Sequence, residues 1–510
     1  PKNCNQHAYA EMHSTVTALL PIATQVAIGF NDEKPARRSA LAMIDISKAF
    51  DSVDHLLLIK QICDSGLHPN YIRWIASYLR GRTARCQYNG VVSRQLKIFS
   101  GTPQGSVLSP DLWNYYTSDT PRQAEIEEHY ADDLDLLESD SQLDALSIKL
   151  DSSVKAVSEW AKSKNLLLAP EKSQVTLFTP WSKESRAVPQ VSIDGVALPL
   201  NKTPRNLGVY LDTHWNGGTN ADEYKKKGDQ RIPVLNALGG TDWGNDKETL
   251  LFTYNATIKP TLTFAAPIWA PNMKKVHRDK LQIVQNKGLR IVTGCHKATS
   301  IDHLHSETQV MPVSDHLDLI CTQFLASAMR PAHPSHETVL RPSGPRQMKF
   351  TLQSRYMPSL APHLVNGIIP QVSYKRIINK IHTEAVAAVK SKLTNRLLKG
   401  PPPLVSKSEM RLPKLARRTL AQLRDDQCSL LKTYQVFIKK INDDTCPECN
   451  IAPHTTSHLF CCPAYPTSLN LLDLWTKPVQ CASFLATLPS FSRLAALDIP
   501  LPRPPPEPPP

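Results

Sequence analysis

The sequence predicts an α+β fold for about its first 215 residues and a mainly helical region after them. In the first part, short apolar runs typical of strands alternate with stretches of helical periodicity, and Gly- and Pro-containing turns separate them. After residue 215 helical patterns dominate and strand signals are weak. This order of elements indicates a mixed or antiparallel sheet that is covered by helices.

The first predicted strand is the apolar run ALAMIDI at residues 40–46, in which Asp45 is the only charged residue. The residues that follow, up to Gly66, are predicted to continue as one helix, and residues 68–81 form a second helix. Residues 82–100 are predicted to form a hairpin, because Asn89-Gly90 is a favoured two-residue turn between arms rich in β-formers.

Residues 101–110, GTPQGSVLSP, are predicted to form a loop that leads into a helix ending near Tyr116. The stretch EEHYADDLDLL at 127–137 is predicted to form a strand, a turn and a strand. The remaining predictions are a helix at about 140–165, strands at 174–179 and 205–212, an Asp-Gly turn at 194–195, and helices at 219–239, 246–272 and 276–294.

The adjacent acids Asp132 and Asp133 raise a chemical question, because Asp is disfavoured in strands and costly to bury unpaired. A solvated turn is one answer. If the strand carrying Asp45 is their neighbour, three carboxylates converge at one end of the sheet. Two like charges about 4 Å apart repel by roughly 4 kcal/mol at an effective dielectric near 20. Such a cluster would favour a hard cation such as Mg²⁺, which takes oxygen ligands.

The charge of the chain points to a polyanionic partner. It has 59 Lys and Arg against 46 Asp and Glu, a formal net charge of +13, and no apolar stretch long enough to cross a membrane. Residues 374–424 contain thirteen Lys and Arg but only two acids, Glu384 and Glu409. We therefore expect nucleic acid rather than a membrane as partner, with a merely solvated basic surface as the alternative.

The cysteines favour metal binding over a disulfide framework. Four of the eleven lie between 446 and 462, and three of these form, with His458, the spacing Cys446-x₂-Cys449-x₈-His458-x₃-Cys462. A CxxC pair followed by a His/Cys pair four residues apart is typical of a tetrahedral Zn²⁺ site. His454 and Cys461 are alternative ligands, and free buried thiols are the alternative to a metal site.

Five segments carry a resemblance to a known family. AMIDISKAFDSVDH, GTPQGSVLSP, YADD, LLLAPEKSQV and TPRNLGVYLD follow one another within about 170 residues. They resemble the successive palm motifs of reverse transcriptases, specifically those of non-LTR (LINE-type) retrotransposons of the jockey-like group. The resemblance implies the right-hand polymerase fold. Its palm would be an antiparallel sheet with helices, and its fingers would be truncated in this chain.

The same resemblance implies a division of the chain. The expected segments are 1–215 for the partial fingers and the palm, 216–345 for a helical thumb or connection, 346–440 for a basic helical and linker region, 441–465 for a zinc knuckle, and 466–510 for a C-terminal segment. The knuckle is similar to those of many LINE-type proteins, where it is thought to contact RNA or DNA. The chain ends LPRPPPEPPP, a polyproline tail that is not expected to fold.

The resemblance also implies roles for single residues. Asp45, Asp132 and Asp133 would be the catalytic carboxylates that hold two Mg²⁺ ions, with Mn²⁺ as an alternative metal. Ala131 would be small because it faces the primer end, and Phe50 would stack under the incoming sugar and exclude a 2′-hydroxyl, unless it is an ordinary core Phe.

Further roles fall on the loops. Gln104 and Gly105, with Gly101 and Pro103, would cradle the template base and the incoming nucleotide, although such a loop also suits a helix entry. Lys172 would protonate the departing pyrophosphate, with an exposed loop lysine as the alternative. Leu207-Gly208 resembles the hairpin that grips the primer, and a structural turn is the other interpretation.

The predicted function is an RNA-directed DNA polymerase that works by target-primed reverse transcription. Its partners would be an RNA template, a DNA primer or target and dNTPs. The chain begins PKNCNQHAYA, without an initiator Met or a signal-like apolar segment, so we expect part of a longer intracellular protein that acts in a cytoplasmic ribonucleoprotein and in the nucleus. No oligomeric state follows from the sequence.

Departures from the family pattern favour a second hypothesis. Ala8 and Ala10 stand where Gly and Arg are usual, and Glu127 and Glu128 lie in a strand that is usually apolar. The earlier fingers motifs and the endonuclease that such elements encode upstream are not in the sequence. The alternative is a catalytically inactive, decayed copy that retains only nucleic-acid binding.

Overall fold

The computed structural model describes residues 5–240, 243–364, 367, 369 and 374–499. The chain divides into two compact units: the first comprises Pro1–Asn220, Ala265–Lys274 and Ile320–Ile377, and the second comprises Ala221–Phe264, Lys275–Leu319 and Ile378–Pro510. In the described part of the chain, each helix is too short or too polar to cross a membrane. The predicted polyproline tail lies outside the described residues.

The strands all lie in the first unit. They are β1 Arg38–Ser47, β2 Thr83–Ala84, β3 Gln87–Tyr88, β4 Val91–Val92, β5 Leu96–Lys97, β6 Ile126–Tyr130, β7 Asp133–Asp140, β8 Leu167–Leu168, β9 Gln174–Phe178, β10 Ser192–Ile193, β11 Val196–Ala197, β12 Arg205–Asn206 and β13 Val209–Tyr210. Five form the main sheet, in the order β6-β7-β1-β8, with β9 also paired to β1. Every pairing in this sheet is antiparallel.

The helices are distributed over both units. They are α1 Thr15–Asn31, α2 His55–Asp64, α3 Pro69–Leu79, α4 Ser109–Tyr116, α5 Leu143–Ser163, α6 Gly218–Leu238, α7 Lys247–Thr263, α8 Ala266–Trp269, α9 Lys275–Thr293, α10 Ile301–Thr308, α11 Val313–Ala328, α12 His336–Leu340, α13 Leu352–Leu360, α14 Tyr374–Lys392, α15 Lys414–Leu423, α16 Lys432–Phe437, α17 Thr456–Leu459, α18 Asp473–Thr476, α19 Pro478–Leu485 and α20 Ser492–Ala495. The mixed helix-and-sheet class predicted from the sequence is confirmed.

The core of the first unit forms where α5 packs on the sheet. Alternate residues of β1, among them Ala42 and Ile44, join Leu146 and Val154 of α5 in one buried apolar cluster. Leu41, which precedes Ala42 and whose side chain lies on the opposite face, is also fully buried, so β1 is covered on both faces. A strand buried on both faces explains why ALAMIDI is apolar apart from Asp45 near its end.

The helix predicted immediately after β1 starts later than expected. A short 3₁₀ turn covers Ala49–Asp51, and α2 begins only at His55. Its start is fixed by Asp54, whose carboxylate accepts hydrogen bonds from the N–H groups of Leu56 and Leu57 at 2.8 and 3.0 Å. This N-cap satisfies donors that the helix itself leaves open, which is why the helix starts here.

Two other predictions need correction. The helix predicted over 246–272 ends at Thr263, because Ala265 takes a left-handed φ of 50° that a continuous helix does not allow. The strand predicted over 205–212 is a hairpin of β12 and β13, whose turn is Leu207-Gly208 with φ values of 45° and 87°. The predicted Asn89-Gly90 turn is present, with φ values of 47° and 82°.

Candidate active site and cysteine-histidine cluster

The three acids singled out from the sequence meet at one end of the main sheet. Asp45 of β1 lies directly opposite Asp133 of β7 in the antiparallel register. Side chains of directly opposed residues project from the same face of a sheet, so these two carboxylates are neighbours. Asp132 lies in the two-residue turn between β6 and β7. The side chain of Asp45 is 29% exposed, so the site is open to solvent.

The electrostatics of the site reflect this crowding. Partial desolvation of Asp133, together with the charges of Asp132 and Asp45, raises the pKa of Asp133 to about 6. The three carboxylates are nevertheless not a closed cluster. Among the described residues, one group of three or more potential metal ligands has its ligand atoms all within 4.8 Å of one another, and it is the cysteine-histidine group described below.

The turn that carries Asp132 is held from two sides. Ala131 adopts a left-handed φ of 59°, a conformation that costs about 1–2 kcal/mol for a residue with a side chain. Gln6 Oε1 accepts a hydrogen bond from Ala131 N–H at 3.0 Å, and Trp113 Nε1 donates one to Ala131 O at 2.8 Å. Trp113 is fully buried, so its indole is a rigid support. These bonds hold the strained turn in place.

The two glutamates of β6 are buried, and histidines accommodate them. Glu128 Oε2 lies 2.7 Å from His7 Nε2, and Glu127 Oε1 lies 3.0 Å from His129 Nε2. Burial raises the pKa of Glu128 well above its usual value, while burial and the charge of His129 lower the pKa of His7 to about 4. Residues 5–7 pair with His129 through main-chain hydrogen bonds of 2.8 Å. The acidic strand therefore forms with polar partners in place of apolar packing.

A hydrogen bond connects this hairpin to the one at 205–210. Asn206 Nδ2 donates to Asp135 Oδ2 over 2.6 Å, and both side chains are buried. Burial, together with the charges of Asp133 and Glu128, outweighs this hydrogen bond and raises the pKa of Asp135 to about 7. The turn Leu207-Gly208 is thereby anchored to β7, two residues from Asp133.

Lys172 lies beside the first acid. Its Nζ is 3.7 Å from Asp45 Oδ2, and the side chain is 63% exposed. The turn that carries it is fixed to the main chain of Asp45: Ala169 N–H donates to Asp45 O at 2.9 Å, and Asp45 N–H donates to Ser173 Oγ at 3.1 Å. The lysine is therefore delivered to the acids by a rigid turn while its ammonium group stays in solvent.

Phe50 and the loop at 101–105 are also brought together. The ring of Phe50 packs against Trp113, with centroids 5.4 Å apart, and Phe50 O accepts a hydrogen bond from Thr102 N–H at 2.7 Å. Gly101 has a φ of 86°, and a Cβ there would lie 2.8 Å from main-chain atoms of Asp51. Only glycine fits this approach. Gln104 and Gly105 are exposed.

Sequence reasoning missed four residues that position the site, namely Gln6, Trp113, Ser173 and Asn206. Ser173 and Asn206 lie inside two of the five segments that carry the resemblance, and Gln6 lies two residues before Ala8, which was compared with the family pattern, so these positions carried a signal. Trp113 gave none, because a Trp in a helix is common without any such role. All four act through contacts that the folded chain alone makes.

The predicted zinc ligands come together in the second unit. One ligand atom from each of Cys446, Cys449, His458 and Cys462 lies within 4.8 Å of the others, and Cys449 Sγ is 3.2 Å from His458 Nε2. Burial acts to raise the pKa of Cys449, but hydrogen bonds from main-chain N–H groups and His458 outweigh it and lower the pKa to about 7. The thiol of Cys449, two further cysteine thiols and one imidazole together form a donor set that suits Zn²⁺.

The two alternative ligands lie outside this group. His454 is fully buried, and its Nδ1 accepts a hydrogen bond from Lys432 N–H at 3.2 Å. Cys461 is exposed, and its thiol contacts Ser457 O at 3.5 Å. The geometry favours the four residues of the original spacing.

Comparisons with known proteins identify a family that the first part of the chain matches. Residues 3–211 match the family model described as reverse transcriptase (RNA-dependent DNA polymerase). The chain is 25% identical over 348 residues to the probable RNA-directed DNA polymerase from transposon X-element of Drosophila melanogaster, covering 65% of this chain and 37% of the relative. It is 28% identical over 260 residues to the RNA-directed DNA polymerase from mobile element jockey of Drosophila funebris, covering 49% of this chain and 28% of that protein.

The chain thus spans less than two fifths of the length of these relatives.

Among solved structures, it is similar to apo telomerase from Candida tropicalis, with a TM-score of 0.30 and 9% identity over 65% of this chain and 56% of the telomerase. A telomerase from Candida albicans in complex with a TWJ fragment of telomeric RNA gives a TM-score of 0.28 and 12% identity, covering 66% of this chain and 54% of that one.

Proposed function

Because residues 3–211 are a reverse transcriptase domain related to those of jockey-like mobile elements, we propose that this chain is the RNA-directed DNA polymerase portion of a non-LTR retrotransposon protein. The reaction would be two-metal nucleotidyl transfer in target-primed reverse transcription, with an RNA template, a DNA primer or target and dNTPs as partners. The observation that carries the proposal is the register that sets Asp45 opposite Asp133, with Asp132 in the adjoining turn.

We assign the segments of a right-hand polymerase accordingly. Residues 1–215 would be the partial fingers and the palm, 216–345 the helical thumb or connection, 346–440 the basic helical and linker region, 441–465 the zinc knuckle and 466–510 the C-terminal segment. The five-stranded antiparallel sheet of the first unit and the helices packed on it support the assignment of the palm.

The acids suit divalent metal ions. Their donor atoms are carboxylate oxygens, which Mg²⁺ prefers, and three like charges at one sheet edge repel one another unless a cation or a proton neutralises them. Asp45 and Asp133 would hold the metal from opposite strands, and Asp132 from the turn. When bound, two Mg²⁺ or Mn²⁺ ions would lower the charge on the reacting phosphate and favour ionisation of the primer hydroxyl.

The other residues would orient the substrates. Phe50, fixed against Trp113, would lie under the sugar of the incoming nucleotide and leave no room for a 2′-hydroxyl. Gln104 and Gly105 are exposed in a loop whose main-chain N–H groups can approach a base or phosphate closely. Lys172 would donate a proton from Nζ to the departing pyrophosphate, since it is exposed and lies at the edge of the acids.

We propose that Cys446, Cys449, His458 and Cys462 bind one structural Zn²⁺ ion. The folded knuckle and the basic residues of 374–424 would then contact the phosphate backbone of RNA or DNA. Because the proposed reaction uses both an RNA and a chromosomal target, the chain would act in a cytoplasmic ribonucleoprotein that enters the nucleus.

Primer extension tests the proposal. The purified chain, alone and joined to the segment that precedes this domain in a jockey relative, is given an RNA template, an annealed DNA primer, dNTPs and Mg²⁺. We expect extension by the wild type and none by Asp132→Asn, with RNA binding equal in both. Equal extension by the two proteins, or none by either protein in either form, would count against a working polymerase.

The second candidate is a decayed copy that binds nucleic acid without polymerising. Ala10 favours it, because an uncharged side chain stands where the resembling enzymes place an Arg near the triphosphate. Such a copy would bind RNA with a steep salt dependence and extend no primer in any form. The extension experiment therefore separates the two functions.

A further inference from the structure

The segment 66–100, which comprises α3 and the hairpin of β2 to β5, carries charge of one sign only. It lies wholly within the first unit. It contains no Asp or Glu, and every residue from 83 to 100 is exposed. Its basic residues are Arg73, Arg80, Arg82, Arg85, Arg94 and Lys97. We call it the basic segment, and its charge complements a polyanion.

The positive charge of the basic segment is not cancelled by neighbouring acids. Arg73 donates a hydrogen bond of 2.6 Å to Asn70 Oδ1, a neutral acceptor that orients the guanidinium and leaves its charge in place. The acids that border the segment are Asp51, Asp64 and Asp111, and all three are exposed to solvent. In the part of the chain that the structure describes, no salt bridge joins them to the six cations. A bound phosphate would therefore meet positive charge along the whole segment.

One side of α3 carries a row of aromatic rings that ends at an arginine. Tyr71, Trp74 and Tyr78 follow one another at spacings of three and four residues, so they lie along the same side of the helix. The rings of Trp74 and Tyr78 are stacked, with centroids 6.2 Å apart and an interplanar angle of 17°. The guanidinium of Arg82 lies over the Tyr78 ring, 5.1 Å from its centroid. These contacts orient the rings before any ligand binds.

The aromatic row is separate from the side of α3 that packs on the core. Ile72, Ile75 and Leu79 make that packing. Tyr71 and Trp74 are instead 62% and 55% exposed. Exposed aromatic faces beside arginines are typical of surfaces on which unpaired bases stack while cations follow the phosphates.

The row is connected to the loop that is proposed to hold the template base. Tyr78 Oη donates a hydrogen bond of 2.5 Å to Ser106 Oγ, and Ser106 directly follows Gly105 in the chain. If a template base lies at Gln104 and Gly105, the nucleotides next to it are within reach of the aromatic row. The surface is thus continuous with the proposed template site.

We propose that the aromatic row and the basic segment bind the unpaired part of the RNA template, with bases stacked on Tyr71 and Trp74 and a phosphate at Arg82. In a duplex the bases already stack on one another, so only an unpaired strand offers their faces to the rings. The row from Tyr71 to Tyr78 is about 10 Å long at 1.5 Å per helix residue, and about three nucleotides at 3.4 Å each match that length. The identity of the strand rests on the proposed function.

Equilibrium binding of labelled primer–template duplexes to the full chain, without dNTPs, tests the assignment. In one duplex the RNA template ends level with the primer 3′ end, and in the other it extends about six nucleotides further at its own 5′ end. We expect this overhang to tighten binding by the wild type about tenfold. Trp74→Ala should remove most of that gain and leave the affinity for the blunt duplex within about twofold. Trp74→Phe should keep the gain, because Phe also offers a flat ring.

The salt dependence tests the contribution of Arg82. With the overhang duplex, Arg82→Gln should reduce the slope of log K against log salt by about 0.7, the value for one phosphate of a single strand. Arg82→Lys should restore the slope, because the charge is kept. Trp74→Ala should leave the slope unchanged, since stacking adds no ionic contact. An unchanged slope in Arg82→Gln would overturn the proposed phosphate contact.

Matched controls lie outside the basic segment. Phe252 is an exposed aromatic of α7, and Arg186 is an exposed arginine. Phe252→Ala and Arg186→Gln should both keep the gain from the overhang. Equal losses for the two duplexes in Trp74→Ala would overturn the proposal, because they would place the ring against paired nucleic acid. No loss for either duplex, the result expected if the row binds a protein, would overturn it as well.

A third duplex identifies the strand. It carries the same overhang on the 5′ end of the primer, at the opposite end of the duplex, and should show no gain that depends on Trp74. Such a gain would overturn the assignment to the template.

The outcome is separable from the polymerase activity. Asp132→Asn should keep the gain that depends on Trp74, so failed extension with this gain contradicts only the polymerase. Extension by the wild type without a gain that depends on Trp74 contradicts only the proposed template surface.

Discussion

Asp45 and Asp133 face each other across β1 and β7, although 88 positions separate them in the chain. The two strands hold both carboxylates on one face of the sheet at its open end, next to the turn that carries Asp132. This single register brings residues of the first and third motifs together. We therefore expect both residues to take part in the chemistry proposed for this edge.

Substitution of Asp45 should abolish primer extension. We expect Asp45→Asn to reduce the single-turnover rate of nucleotide addition by about a thousandfold or more, because a neutral amide replaces one of three negatively charged metal ligands. The side chain is partly exposed, so the free energy of unfolding should hardly change. Asp64→Asn, which alters an exposed acid at the end of α2, is the matched control and should leave the rate unchanged. A rate for Asp45→Asn within tenfold of the wild type would contradict the assignment.

Lys172 should contribute through its proton rather than its charge alone. Lys172→Met is expected to slow nucleotide addition about a hundredfold, the range typical of a general acid. Lys172→Arg keeps the positive charge 3.7 Å from Asp45 but does not release a proton at accessible pH, so it should remain nearly as slow. Full activity of Lys172→Arg would assign the residue an electrostatic role instead.

Ala10 offers a gain-of-function test. If the missing guanidinium weakens triphosphate binding, Ala10→Arg should lower the KM for dNTP about tenfold, with a smaller change in kcat, because Arg binds phosphate through paired charged hydrogen bonds. Ala10→Gln, of similar length but uncharged, is the control. Steady-state kinetics with a saturated template and primer measure both constants. An unchanged KM in Ala10→Arg would mean that Ala10 does not support the hypothesis of a decayed, inactive copy.

Local patterns predicted much of the fold, but not the contacts that complete the site. The Asn89-Gly90 hairpin and the buried β1 followed from turn chemistry and apolar runs, which act between residues close in sequence. The start of α2 was missed because the capping carboxylate of Asp54 outweighs the helical periodicity upstream of it. The hydrogen bond from Ala131 to Gln6 joins residues 125 apart, and no local pattern specifies such a distance.

The residue types of the candidate site could be predicted from the sequence itself. Their arrangement in space could be predicted only from the resemblance to a known family. The YADD stretch by itself is compatible with a solvated turn, and the pairing of Asp45 with Asp133 depends on which strands become neighbours. The histidine partners of Glu127 and Glu128 were not foreseen either. His7 belongs to a segment that pairs with β6 from more than a hundred residues away.

Zinc content should depend on the four grouped ligands and not on their neighbours. We expect one Zn²⁺ per chain by elemental analysis, and loss of that ion in Cys449→Ser, because serine is a much poorer ligand for Zn²⁺ than a thiolate. Cys461→Ser changes a nearby exposed cysteine outside the group and should retain the metal. Retention of zinc in Cys449→Ser, or its loss in Cys461→Ser, would require a different ligand set.

The stability of the second unit should depend on a buried ion cluster. Arg424 is fully buried and pairs with Glu307, at 2.9 Å, and with Glu409, while Lys247 contacts both acids. Arg424→Met should lower the free energy of unfolding by about 3–5 kcal/mol at pH 7, because it leaves two buried carboxylates with a single cation. Arg411→Met, at an exposed position, is the control for the lost side chain and should have little effect.

The pH dependence of that loss has a definite sign. Burial acts to raise the pKa of Glu307, but the charges of Arg424 and Lys247 outweigh it and lower the pKa to about 2. A carboxyl group whose pKa is lower in the folded state stabilises the fold at every pH above its ordinary pKa, which is 4.5 for Glu307. That contribution disappears as the pH falls from 4.5 towards 2. The difference between Arg424→Met and wild type should therefore be largest near pH 7 and shrink below about pH 4.5, as the orphaned carboxylates take up protons. Denaturant unfolding at pH 7, 5 and 3.5 measures it, and a difference that grows on acidification would show that the cluster does not stabilise the unit through its charges.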